Sequence, residues 1–140
     1  MMLSLPKVLL LSDPATETSG LERILDEHVS LHKVTGLMEL QTLLDEGCYD
    51  AVFCDWSFHR DSWNAAVRQI QQLSPDLPVI IFRGTGGEKE WVQVLEAGGF
   101  DLLVAPYQNY TVLPVLEQAV ESYEARRMHH AASYVKAMAN

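Results

Sequence analysis

The chain alternates short, unbroken apolar runs with longer stretches whose apolar residues recur every three or four positions. Lys7–Ser12 (KVLLLS) is the first run and reads as a strand covered on both faces. From Thr16 to His28, Leu21, Ile24 and Leu25 form a helical stripe, with Asp26 and Glu27 off it. A weaker strand is expected from His28 to Thr35, where Val29 and Leu31 alternate with polar neighbours. Leu37, Leu40, Leu43 and Leu44 predict a helix from Leu37 to Glu46, with Gly47 as its C′ residue. Tyr49–Asp55 (YDAVFCD) reads as a buried strand ending in an acid. Asp61 or Ser62 can cap a helix to Leu73, whose apolar face is Ala66, Val67, Ile70 and Leu73. Pro75 and Pro78 precede a fourth strand, Val79–Phe82, and Gly84, Gly86 and Gly87 predict a loop after it. A helix over Glu88–Ala97 is stopped by Gly98-Gly99, a fifth strand covers Phe100–Ala105, and helical pattern resumes at Thr111.

Five strands alternating with five helices imply βαβ units and an α/β fold around a mostly parallel sheet. Right-handed crossovers then place helices on both faces. In such sheets functional groups gather at the carboxyl ends of the strands. That rule selects Ser12-Asp13, Asp55, Arg83-Gly84 and Ala105-Pro106.

Composition narrows the function classes. At 140 residues and 48% hydrophobic, the chain is long enough and apolar enough for one domain with its own core. Ten basic residues against nineteen acidic ones give a net charge of −9, which argues against direct nucleic-acid binding. Cys48 and Cys54 are too few for a disulfide framework, and Cys54 sits in an apolar run as a small core residue. No stretch suits a membrane span, and the first residues lack the apolar region of a signal peptide. A cytoplasmic, reduced protein is expected.

Three stretches together resemble the receiver domains of two-component response regulators. They are Val8-Leu9-Leu10-Leu11-Ser12-Asp13, Tyr49-Asp50-Ala51-Val52-Phe53-Cys54-Asp55, and the run from Glu96 to Tyr107 that contains Gly98-Gly99 and Ala105-Pro106. Their order and spacing, with Pro78–Phe82 between them, carry the resemblance across most of the chain. It implies a flavodoxin-like, doubly wound five-stranded parallel sheet of order 2-1-3-4-5, with five helices. It also implies phosphoryl transfer from a partner histidine kinase to the aspartate at position 55. There a carboxylate is the nucleophile and a magnesium ion neutralises charge on the phosphoryl oxygens.

At several of those positions the sequence departs from the family. Ser12 stands where the first acid would be, leaving Asp13 and Asp55 as the acidic pocket and the only carboxylates for a metal. Arg83 replaces the Ser or Thr that reports phosphorylation, and Ala105 replaces the lysine that pairs with the phosphoryl group. Losing such a charge-assisted contact costs roughly 1.5–3 kcal/mol. No cofactor, or weakly bound Mg2+ at Asp13 and Asp55, is therefore expected. The resulting reading is a non-enzymatic, phosphorylation-independent interaction module that docks on a signalling partner, either a histidine kinase or an output domain. The alternative is a working phospho-acceptor at Asp55. A small-molecule or flavin-binding domain of the same strand order is a third class, but its loop after strand one would here be the acidic, glycine-free Ser12–Thr16.

Individual residues admit plainer readings. Asp55 can simply cap the next turn. Arg83 can be solvated, or can point inward and neutralise Asp55 and Asp13. Gly84–Gly87 can cradle an anion at a helix N-terminus or be a flexible turn, and Thr85 can serve as the switch hydroxyl only if the loop shifts. Trp56, Trp63 and Trp91 suit packing, and the histidines show no metal spacing. Residues 1–127 are expected to form the receiver domain and 128–140 a helical extension or linker. Leu116, Val120, Tyr123, Arg127, His130, Tyr134 and Ala137 recur at alternating spacings of four and three, which suggests a weak homodimer seam.

Overall fold

The computed structural model describes the backbone of residues 5–139, and the side chains of residues 5–129 and Met138. Five strands form one parallel sheet of order β2-β1-β3-β4-β5. They are β1 (Lys7–Leu11), β2 (Ser30–Val34), β3 (Ala51–Asp55), β4 (Val79–Arg83) and β5 (Asp101–Val104). The longer helices between and after them are α1 (Ser19–Asp26), α2 (Leu37–Glu46), α4 (Trp63–Leu73), α5 (Glu88–Glu96) and α6 (Asn109–Ala139); α3 is a single turn, Phe58–Asp61. The chain order and the sheet order together make the fold doubly wound, as expected.

Strand periodicity sorts the apolar runs onto two faces. Leu9, Leu11, Val52, Cys54, Val79 and Ile81 face Leu40 of α2, Ala66, Val67 and Ile70 of α4, and Val94 of α5. Val8, Leu10, Ala51, Phe53, Ile80 and Phe82 face Leu21 and Leu25 of α1, and Val112, Leu116 and Ala119 of α6. β3 lies between β1 and β4 and is buried along its whole length, whereas β2 is an edge strand with only Val34 fully buried.

Several expected boundaries need correction. Helix α1 begins at Ser19 rather than Thr16, because Pro14 and the turn in which Thr16 N–H donates to the Asp13 carbonyl hold the chain off helical geometry. Gly47 is the C-cap of α2 itself, with an extended backbone rather than a left-handed one. The short α3 had no signal in the sequence. Its His59, Arg60 and Asp61 have φ of 53°, 58° and 62°, a left-handed conformation that L-residues adopt at a cost of roughly 1–2 kcal/mol each. Phe58, fully buried in the core, anchors this turn. Gly98 shows a glycine requirement at a place the sequence did signal: its φ is +95°, and an added Cβ would lie 1.9 Å from Gln71 Nε2.

Helix α6 runs unbroken across the expected boundary at residue 127. Val112, Leu116 and Ala119 are buried, while residues 124–129 are exposed. Leu116, Val120 and Tyr123 of the suggested seam pack on the domain's own core, and Arg127 lies over the Tyr123 ring at 5.4 Å. The side chains of His130, Tyr134 and Ala137 fall outside the described residues. No helix among the described residues is long and apolar enough to cross a membrane.

Candidate functional site

The carboxyl edge of the sheet carries the candidate site. Asp55 ends β3 opposite Phe82 of β4, and the Trp56 N–H donates to the Phe82 carbonyl at 2.9 Å, so the parallel ladder fixes where the carboxylate leaves the sheet. Asp55 is 5% exposed. Its Oδ1 accepts the Ser57 N–H at 3.0 Å, while its buried Oδ2 has no hydrogen-bond partner. Asp13 follows β1, after Ser12 has closed the ladder by donating its N–H to the Val34 carbonyl. Asp13 Oδ1 accepts the His59 N–H at 3.2 Å. Each acid thus holds one backbone N–H of the loop after β3. The plain capping reading of Asp55 applies to one of its oxygens and leaves the other unused.

A cavity of about 440 Å³ opens at this edge, lined in part by Asp55, Trp56, Arg83, Thr85, Ala105 and Tyr107. Three of the four residues singled out from sequence, Asp55, Arg83 and Ala105, therefore share one wall. Asp13 belongs to the same loop network but not to that lining. Arg83 does not neutralise the acids as one reading proposed. Its guanidinium pairs with Glu90 at 3.6 Å and lies over the Trp56 ring at 4.4 Å, and Trp56 in turn packs on Trp63 at 4.9 Å. The competing partner was legible only as a helix residue. Glu90 Oε2 accepts the Gly87 N–H at 3.0 Å and caps α5, and its own backbone N–H, followed by that of Gly87, holds the Glu90 carboxyl below its usual range. The same cap supplies a carboxylate where an anion cradle had been considered, so the glycine loop needs no external anion.

Tyr107 is a further member of the site, signalled in the sequence only by its place at the end of the Glu96–Tyr107 run. Its ring meets Phe82 edge-on at 6.1 Å, and a cis peptide joins Ala105 to Pro106 beside it. Burial, with a further contribution from the Asp55 charge, pushes the Tyr107 hydroxyl up to about 12. Burial also pushes the Cys54 thiol up, as do Asp55 and Asp13, so this cysteine is a core residue rather than a nucleophile.

The residues present do not fit a tightly held divalent ion. Among the described residues no group of three or more His, Cys, Asp or Glu side chains could hold a metal. Asp13 and Asp55 supply two carboxylates, each with one oxygen shared with a backbone N–H, so most of the six oxygens of an octahedral magnesium ion would have to be water.

Comparison with known proteins agrees with this architecture. Residues 8–135 match the response regulator receiver domain family. The hydrogenase transcriptional regulatory protein HoxA of Bradyrhizobium diazoefficiens is 22% identical over 121 residues, covering 86% of this chain and 25% of that protein. The chain therefore spans about a quarter of the length of that curated relative. A receiver domain protein from Clostridium thermocellum superposes with a TM-score of 0.74 at 21% identity, covering 86% of this chain and 98% of the other. NtrX from Brucella abortus superposes with a TM-score of 0.78 at 21% identity, covering 91% of this chain and 29% of that one. With the strand order, the carboxyl-edge aspartates and the matched span all in agreement, this chain belongs to the response regulator receiver domain family.

Proposed function

We infer that this receiver domain acts as a phosphorylation-independent interaction module in two-component signalling, docking on a histidine kinase or an output domain. One observation carries the reading. The cavity beside Asp55 presents the methyl group of Ala105 and a guanidinium already engaged by Glu90 and Trp56, so no free cation or switch hydroxyl at positions 105 and 83 faces the carboxylate. Phosphoryl transfer needs positive charge on the phosphoryl oxygens, and this wall supplies none that is uncommitted. Asp13 and Asp55 hold magnesium weakly or not at all in this reading, and the domain is not an enzyme. It works in the cytoplasm, without touching nucleic acid directly. Residues 1–127 make the domain, 128–140 extend it as a helix or linker, and any self-association through that extension is weak.

The alternative, a phospho-acceptor at Asp55, is favoured by the bare Oδ2. Intact-mass measurement after incubation with a small phosphodonor and magnesium separates the two. The unmodified mass is the expected result. A substantial single phosphoryl adduct that disappears in Asp55→Asn establishes the alternative instead.

A further inference from the structure

Helices α2 and α4 cover the same face of the sheet, where Leu40, Ala66, Val67 and Ile70 are fully buried. The Gln69 side-chain amide donates to the Leu37 carbonyl at 3.2 Å and ties the two helices together. Between them opens a groove of about 390 Å³, many times the roughly 30 Å³ of a single water. Leu37, Met38, Ala65 and Leu73 supply its apolar surface. Met38 is 87% exposed and Leu73 38% exposed. A single exposed apolar residue is ordinary, so Met38 alone carries nothing. Beside Leu37, Ala65 and Leu73 in one concave lining, it extends an apolar strip.

The polar part of the lining is Gln41, Arg68, Gln69 and Gln72. It contains no carboxylate, in a chain with nineteen acids and a net charge of −9. Helix α4 has no Asp or Glu along its length. Glu39 of α2 pairs with His32 at 3.6 Å and is not part of the lining. Among the described residues Arg68 has no ion-pair partner. On the opposite face of the sheet, a second groove is bordered by Glu117 and Glu121, so the two faces differ in sign. An uncommitted cation beside apolar surface selects a partner that carries an acid beside apolar residues. The glutamine amides donate and accept without adding charge, which suits the rim of such a contact. A groove between two packed helices accepts a third helix, and the flexible Met38 side chain adapts to the one that enters.

We propose that the α2/α4 groove docks an acidic amphipathic helix of a partner protein, whose apolar stripe seats on Leu37, Met38, Ala65 and Leu73 while an Asp or Glu beside that stripe pairs with Arg68. The proposal rests on the interaction-module reading and gives it a surface that includes none of Asp13, Asp55, Arg83 and Ala105. The apolar seat supplies the affinity. The exposed Arg68 supplies the charge preference and the dependence on salt.

Two synthetic amphipathic helices test this, one with glutamates and one with lysines flanking the same leucine stripe. The isotope-labelled full chain is titrated with each, and the backbone and glutamine side-chain amide signals are followed by nuclear magnetic resonance. The glutamate peptide should shift the signals of Leu37–Gln41 and Ala65–Leu73 saturably, and should bind less tightly as salt is raised. The lysine peptide should leave those signals unmoved. Arg68→Glu replaces an attraction with a repulsion, so it should weaken the glutamate peptide about tenfold or more and let the lysine peptide bind. Met38→Ser, at an exposed site, should weaken the glutamate peptide while leaving its charge preference intact. Equal shifts from both peptides, or shifts that Arg68→Glu leaves unchanged, mean unselective apolar contact and overturn the proposal. No shift in α2 and α4 overturns it as well. Concentration-dependent shifts of the same signals without peptide, lost in Arg68→Glu, make the occupant a second copy of this chain and overturn the partner. A phosphoryl adduct on Asp55, detected by intact mass, overturns the phosphorylation-independent reading alone; loss of the groove's charge preference overturns this proposal alone.

Discussion

The interior of the sheet and its carboxyl rim obey different rules. In the interior, Val8–Leu11, Ala51–Cys54 and Ile80–Ile81 are fully buried, and helices close over them on both faces. At the rim, a few ångströms further along the same strands, the backbone turns left-handed at His59, Arg60 and Asp61, a carboxylate oxygen goes unpaired, and a guanidinium stacks on indole. Receiver architecture survives with Ser12, Arg83 and Ala105 in place because those side chains lie where the apolar runs have ended. Burial of the runs stabilises the fold, and the rim is free to change its chemistry.

The largest effect that tests this contrast comes from the interior. Phe53→Ala removes a fully buried ring from the central strand and should cost about 3–5 kcal/mol, read from denaturant unfolding. A loss below 1 kcal/mol would mean that the interior does not dominate stability.

An intermediate effect sits where the two regions meet, at Tyr107. A phenol whose folded value is raised to about 12 keeps its proton to higher pH than in the unfolded chain, where it loses it near 10. The folded state then binds more protons in that window. The stabilisation is fully present below pH 10 and is lost as pH rises towards 12. Tyr107→Phe should therefore unfold less steeply with pH between 10 and 12. In Asp55→Asn, ultraviolet titration should show the Tyr107 transition moving down, because one of the two causes of its elevation is removed. An unchanged transition would show that burial acts alone.

The smallest effect should carry the opposite sign. Asp55→Asn keeps an oxygen for the Ser57 N–H and discards a buried negative charge whose other oxygen has no partner. Stability should rise by up to about 1 kcal/mol, measured by the same unfolding curves. A loss of 2 kcal/mol or more would mean that the rim is structural after all and that the contrast is false.

How much of this the sequence disclosed follows the same division. Unbroken apolar runs such as VLLL and AVFC and the leucine spacing of α2 state their own geometry, because burial on two faces or one leaves a periodic trace. Asp55, Arg83 and Ala105 were legible as positions, since strand ends in a parallel sheet must meet at one edge. Their partners were not. Whether Arg83 turns to Asp55 or to Glu90 depends on where α5 begins and on the Trp56 ring beneath it, which are distances in space rather than spacings in sequence. The left-handed turn at His59–Asp61 contains no glycine or asparagine, the strongest markers of such a backbone, and only the weaker markers His59 and Asp61. Asp13 and the buried Phe58 hold it from outside.

Helix α6 also has a mechanical side. Its 31 residues at about 1.5 Å each make a rod of about 46 Å, seated on the sheet by Val112, Leu116 and Ala119 near one end. The stretch beyond Tyr123 is about 24 Å long by the same rise. A rod clamped at one end is a lever: a tilt of a few degrees at Leu116, too small to disturb the packing noticeably, sweeps the far tip through ångströms. Anything that shifts β5 and the Ala105–Tyr107 segment leading into this helix would be read out, amplified, at the opposite end of the molecule.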